Sequence, residues 1–99
     1  MTDVYLEQDG NRYTVFARGH ATGSPGMCAA VSTLLYSLAG WLHNAPTDIL
    51  AEKLEPGDAC LSYQGDGDDE TVFSFITIAF LQLQKSDPAH IKVEVKIIS

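Results

Sequence analysis

Residues 19–32 read GHATGSPGMCAAVS, and the folding of this stretch organises the rest of the chain. Gly19, Gly23 and Gly26, together with Pro25, make its first half a loop. Its second half opens an apolar run from Met27 to Leu42, which should be a helix that stops before Asn44 and Pro46. Ser24 can serve as the N-cap with Pro25 at the first helical position. A start nearer Met27 is the alternative, and the sequence leaves the two open.

Upstream, residues 4–6 and 12–17 are rich in Val, Tyr, Thr and Phe and flank Asp9-Gly10-Asn11. That pattern reads as a β-hairpin over about residues 2–8 and 11–18. Downstream, residues 47–54 fit a strand or a short helix, and Glu55-Pro56-Gly57 is a turn. Residues 59–63 read as a strand, followed by a polar, glycine-containing loop over 64–68. Residues 70–85 contain Val72-Phe73-Ser74-Phe75-Ile76-Thr77-Ile78, which suits a strand by propensity. Their total length and the acids at 68–70 favour a helix, and a helix is expected. Residues 91–98 alternate Lys and Glu with aliphatics, the pattern of a last strand. The order ββαββαβ defines an α+β domain, with both helices packed on one face of a mostly antiparallel sheet. At 99 residues the chain is a single domain, residues 1–99, with no linker or internal repeat.

The formal net charge is −7. Such a chain repels phosphates, so nucleic acid is not an expected partner, whereas a protein or peptide is compatible. Two cysteines are too few for a disulfide framework. Met1-Thr2-Asp3-Val4 lacks the basic and apolar regions of a signal peptide, so the expected compartment is a reducing cytoplasm with two free thiols.

From Ala21 to Thr47 there is no Asp, Glu, Lys or Arg. A helix on a small sheet normally carries a charged outer stripe. The helix at 27–42 has only Ser32, Thr33 and Ser37 as aliphatic hydroxyl groups. It reads as too short and too polar for a membrane span, which needs about 20 apolar residues. Its outer side is therefore expected to be covered by a second copy in a homodimer, with a lid or the second helix as other covers.

Cys28 falls in the first turn of the expected helix, where unpaired N–H groups and the macrodipole favour a thiolate. His20 sits one loop away, at the end of the hairpin. An imidazole there can take the thiol proton and later protonate a leaving amine, while amides at the helix start can hold an oxyanion. Together these groups would perform acyl transfer. The other account of Cys28 is a small hydrophobe in an apolar helix.

The literal string adds to this. Gly19-His20-Ala21 and Cys28-Ala29-Ala30-Val31-Ser32 resemble the two signature segments of the ribosomal-processing cysteine proteases. The expected element order is similar to that family's fold. The resemblance implies a homodimeric cysteine endopeptidase without a cofactor. It would remove a short N-terminal extension from a large-subunit ribosomal protein or, in phage-associated relatives, act on a capsid or scaffold protein. It assigns His20 as general base and Cys28 as nucleophile, with Gly19, Ala21 and Ser32 as supporting residues. Ser32 lies four residues after Cys28 and so shares its helical face; alternatively its hydroxyl bonds the carbonyl one turn back. The chain departs from the family pattern in a shorter loop between His20 and Cys28. It also has Ser24-Pro25-Gly26-Met27 where the ribosomal enzymes carry an acid just before the cysteine. These departures keep a rival in play, a non-catalytic dimeric binding module of the same fold. A redox pair of Cys28 and Cys60 is a third reading.

Other features carry less. Asp66, Asp68 and Glu70 alternate like calcium ligands but lack the loop's sixth-position glycine and distant glutamate. They read as a solvated loop at a helix start. His20, Cys28, His43, Cys60 and His90 show no zinc spacing, so no metal is expected. Cys60 reads as a strand-packing residue, His43 and His90 as surface residues. Tyr36, Leu38 and Trp41 read as core or interface.

Overall fold

A computed structural model describes residues 1–98 of the chain. Its elements are β1 (Thr2–Asp9), β2 (Arg12–Arg18), α1 (Pro25–Asn44), β3 (Asp48–Glu55), β4 (Asp58–Gln64), α2 (Asp68–Ser86) and β5 (Ile91–Ile98). The hairpin forms as expected, with Asp9 opposite Arg12 and Gly10 at φ +62° in the tight turn. Of the two helix starts, the first is found: Ser24 caps α1, its Oγ accepting the Met27 N–H, and Pro25 is the first helical residue. Residues 48–55 settle as a strand. The ambiguous segment at 70–85 is helical, with Asp68, Asp69 and Glu70 in its first turn.

The strands form one sheet in the order β3-β4-β2-β1-β5. β1–β2, β2–β4 and β3–β4 pair antiparallel, while β5 pairs parallel to β1, with Thr2 opposite Ile91. The parallel pair follows from topology. After β4 the chain crosses over β2 and β1 through α2, and such a crossover returns a strand in the direction in which it left.

Alternation decides the faces. Val4 and Leu6, Tyr13, Val15 and Ala17, and Ala59, Leu61 and Tyr63 all point to one side and are buried. Onto them α1 lays Val31, Leu35, Leu38 and Leu42, and α2 lays Phe73, Ile76 and Phe80. Both helices thus cover one face, as the pattern required. The opposite face carries Thr14 and Ser62, 3.2 Å apart, and Arg18 over the Phe16 ring at 5.1 Å. Cys60 sits there opposite Phe16.

Two expectations about α1 need correction. The helix starts at the first of the two expected positions but ends later than anticipated, at Asn44 and not near Leu42, and so runs for 20 residues. By length and composition it could span a membrane. Its buried stripe, which is packed on the sheet, accounts for its apolar character as a core helix. The large uncovered apolar groups also lie mostly elsewhere. On α1 only Tyr36 is a large exposed apolar side chain, at 63%, whereas α2 exposes Phe75 at 70%, Ile78 at 58% and Leu81 at 39%. Small residues and hydroxyls on the outer side of α1 are compatible with water without charge.

Candidate active site

The site begins where β2 ends. Gly19 has φ +86°, and its N–H donates to the Gly57 carbonyl at 2.9 Å. A Cβ at Gly19 would run into the Met1 carbonyl oxygen, so only glycine passes there. His20 follows, exposed, with its ring lying against the bare Cα of Gly57 in the β3–β4 turn. Ala21 is buried, and its carbonyl accepts the Ser24 N–H at 2.9 Å, which closes the loop onto the start of α1.

One turn into α1, Cys28 donates its N–H to the Ser24 carbonyl at 3.1 Å and its thiol to the Ala21 carbonyl at 3.7 Å. The thiol is partly buried and free. His20, Cys28 and Ser32 line one cleft of 280 Å³, together with Gly19, Tyr36 and residues 54–59. The structure thus brings the expected nucleophile, base and supporting serine to one surface. Among the described residues the His20 side chain makes no hydrogen bond, and the Cys28 thiol is directed at a backbone carbonyl instead of the imidazole.

The expected support groups divide. Gly19 and Ala21 act through the backbone, as described. Ser32 lines the cleft with its hydroxyl unpartnered among the described residues; it is Thr33 that bonds one turn back, to the Ala29 carbonyl at 2.8 Å. The helix start offers fewer oxyanion donors than anticipated. Pro25 has no N–H, the Met27 N–H is taken by Ser24 Oγ and the Cys28 N–H by the Ser24 carbonyl. This leaves Gly26 as the first-turn amide without a partner among the described residues.

The far wall was not foreseen. Glu55, Pro56 and Asp58 stand opposite α1, and the two acids are tied by Lys53, at 3.5 Å from Glu55 and 2.6 Å from Asp58. The hydrogen bond from Lys53 holds the Asp58 carboxyl below its usual range, and Arg18 lies 3.7 Å away. Tyr36 was also missed as a wall residue. Its signal was present in the sequence, since Cys28, Ser32 and Tyr36 fall at i, i+4 and i+8 on one helical face.

Behind the loop, Asp87 accepts from Ser24 Oγ at 3.5 Å and pairs with His90 Nδ1 at 2.8 Å, so the α2–β5 turn braces the cap of α1. His90 is thereby more engaged than a plain surface residue. His43 remains exposed and pairs with Glu52 at 2.8 Å. Leu38 is buried and Trp41 packs against the core. Cys60 and Cys28 lie on opposite sides of the sheet and both are free, which removes the basis for a redox pair.

No protein-family model matches the chain, and no curated protein matches it in sequence. Solved structures do match in fold. The essential ribosomal processing protease Prp of S. aureus, in complex with a covalently linked product peptide, gives a TM-score of 0.78 at 16% identity, over 97% of this chain and 100% of that one. The same protease with a substrate peptide gives 0.75 at 12% identity, over 97% and 100%. A Streptococcus mutans protein gives 0.68 at 19% identity, over 98% and 95%. The chain therefore has the fold of the ribosomal processing proteases, over 97% of its length.

Proposed function

We propose that this chain is a cysteine endopeptidase that cleaves a short N-terminal extension from a large-subunit ribosomal protein or from a related phage capsid or scaffold protein. The observation that carries this is the placing of His20 and Cys28 on one cleft, in a fold shared with a processing protease that holds peptides. In the reaction His20 takes the thiol proton and the Cys28 sulfur attacks the scissile carbonyl. The amine leaves with the proton from His20, and water then hydrolyses the thioester. No cofactor or metal enters these steps. The cleft walls are suited to a peptide with apolar residues before the scissile bond, because α1 contributes no charge and the acids opposite are paired with Lys53. Two free thiols fit a reducing cytoplasm.

A homodimer belongs to the same proposal, with Phe75, Ile78 and Leu81 of α2 as its contact in place of the outer side of α1. The rival, a non-catalytic dimeric binding module, draws on one observation: the thiol donates to the Ala21 carbonyl and not to His20. The deciding experiment incubates the reduced protein with N-terminal peptides of the host large-subunit ribosomal protein and of capsid proteins encoded nearby. Cleavage at one bond, lost in Cys28→Ala, supports the protease. Tight peptide binding with no cleavage supports the module.

A further inference from the structure

We propose that Gly57 is a positioning residue for His20, its bare Cα in the β3–β4 turn being the seat on which the imidazole rests. Three observations converge. Gly57 has φ +71°, the left-handed region, in a turn whose only other loop residue is Pro56. A Cβ built on Gly57 would lie within 3.1 Å of three ring atoms of His20, Nε2, Cε1 and Cδ2. The Gly57 carbonyl also accepts the N–H of Gly19, the residue before His20, at 2.9 Å. One glycine therefore fixes both the backbone that delivers the histidine and the face on which its ring lies.

His20 is exposed, and among the described residues its side chain has no hydrogen-bonding partner. An exposed imidazole free of partners would distribute over its staggered χ1 rotamers. Close contact with the Cα of Gly57 selects among them, and a methyl group at that point would expel the ring. The contrast with Gly10 isolates this effect. Gly10 also has a positive φ, +62°, but a Cβ there meets nothing within 4 Å.

The consequence for catalysis rests on the protease reading given above, but the seat itself does not. If His20 is the base, Gly57→Ala lowers kcat by about tenfold to a hundredfold, because displacing a reacting group by about 1 Å can cost about 10²-fold. KM should stay within about twofold of wild type, since the rest of the cleft is untouched.

The test has two parts that do not need cleavage. In histidine-labelled protein, Gly57→Ala is expected to shift the His20 Cε1–H resonance, while Gly10→Ala leaves it in place. In thermal unfolding, Gly57→Ala should lower Tm more than Gly10→Ala in the wild-type background. In a His20→Ala background, where no ring remains to be expelled, the two glycine variants should lower Tm about equally. An unmoved His20 resonance, or a Gly57→Ala penalty that is the same with and without His20, overturns the proposal. Should Gly57→Ala alone fail to fold, folding of the His20→Ala/Gly57→Ala pair supports it and failure of the pair overturns it. A wild-type protein that cleaves nothing removes the protease reading and leaves these readouts standing.

Discussion

The Sγ of Cys28 lies 3.7 Å from the carbonyl oxygen of Ala21 and donates its proton there. That carbonyl also takes the Ser24 N–H, so one backbone oxygen holds both the loop's closing turn and the candidate nucleophile. For Cys28 to transfer its proton to His20, this weak S–H bond has to break and the thiol has to turn toward the cleft. The cost is small, since sulfur is a poor donor, and catalytic hydrogen bonds often tighten only when substrate binds.

Thiol labelling reads this arrangement directly. Cys60 lies on the outer face of the sheet, where burial pushes its thiol up from the ordinary cysteine value and so lowers its thiolate fraction at pH 7. Cys28 stands at a helix start on an open cleft. Iodoacetamide at pH 7 should therefore alkylate Cys28 several times faster than Cys60, as followed by mass spectrometry of the two peptides. Equal rates would remove the case for a special thiol.

The dyad variants should differ in kind as well as in size. Cys28→Ala abolishes cleavage with an unchanged fold by circular dichroism. Cys28→Ser is nearly as inactive, because an imidazole cannot usefully ionise a hydroxyl. His20→Ala loses about 10²–10⁴-fold in kcat, the usual worth of general acid–base assistance. Ser32→Ala, whose hydroxyl lines the cleft without touching Cys28 in the hydrogen-bond pattern, should lose less than tenfold, about 1.4 kcal/mol. Activity of Cys28→Ala at the wild-type level would place the nucleophile elsewhere.

Tyr63 offers a test of the core that is independent of function. Its ring is fully buried, stacks on Tyr13 at 5.2 Å, and its hydroxyl has no hydrogen-bonding partner among the described residues. An unsatisfied buried hydroxyl is unfavourable, so Tyr63→Phe should stabilise the fold by about 1 kcal/mol in urea unfolding at pH 7. Burial, with Asp69 nearby, raises the Tyr63 pKa. A raised folded value means that the neutral phenol's contribution is complete below the unfolded value, about 10, and declines as pH rises beyond it. Tyr63→Phe should therefore lose less stability than wild type above pH 10. A destabilised Phe variant would mean that the hydroxyl is satisfied, for instance by a buried water.

Much of this was legible in the sequence, for physical reasons that differ by element. The hairpin shows an Asp-Gly turn between β-rich flanks and β5 shows alternation, so local chemistry alone placed them, whereas Ser24 and Pro25 marked only one of two open starts for α1. The parallel pairing of β5 with β1 was not legible, because it depends on where α2 delivers the chain and not on any residue in β5. The cleft's near wall came from GHA and CAAVS. The far wall did not, because Glu55-Pro56-Gly57 announces a turn without saying what the turn will face. The outer side of α1 is less legible for a related reason. Absence of charge marks a surface that tolerates burial, whereas the side chains left most exposed, Phe75 and Ile78, sit in a helix that carries acids in its first turn and so looks amphipathic in sequence.

That last difference can be turned into a measurement. Phe75, Ile78 and Leu81 recur at a spacing of three on one side of α2 and are exposed by 70%, 58% and 39%. Three such side chains on one helical stripe are more than the scattered apolar exposure of a monomer surface requires. In a twofold dimer the stripe would pack against its own copy, which buries it without any further partner. Each chain carries a formal charge of −7, so the two copies repel at long range. Salt screens that repulsion over about 8–10 Å while leaving the apolar contact intact. Light scattering at micromolar concentration should therefore give twice the chain mass, with dissociation favoured by low salt. Ile78→Asp, at the centre of the stripe, should give the single-chain mass with the circular dichroism spectrum unchanged, since the residue is not part of the core. Ser37→Asp, on the outer side of α1, should leave the dimer as it is. A wild-type monomer at every salt concentration removes the dimer, and loss of the dimer in Ser37→Asp but not in Ile78→Asp returns the contact to α1.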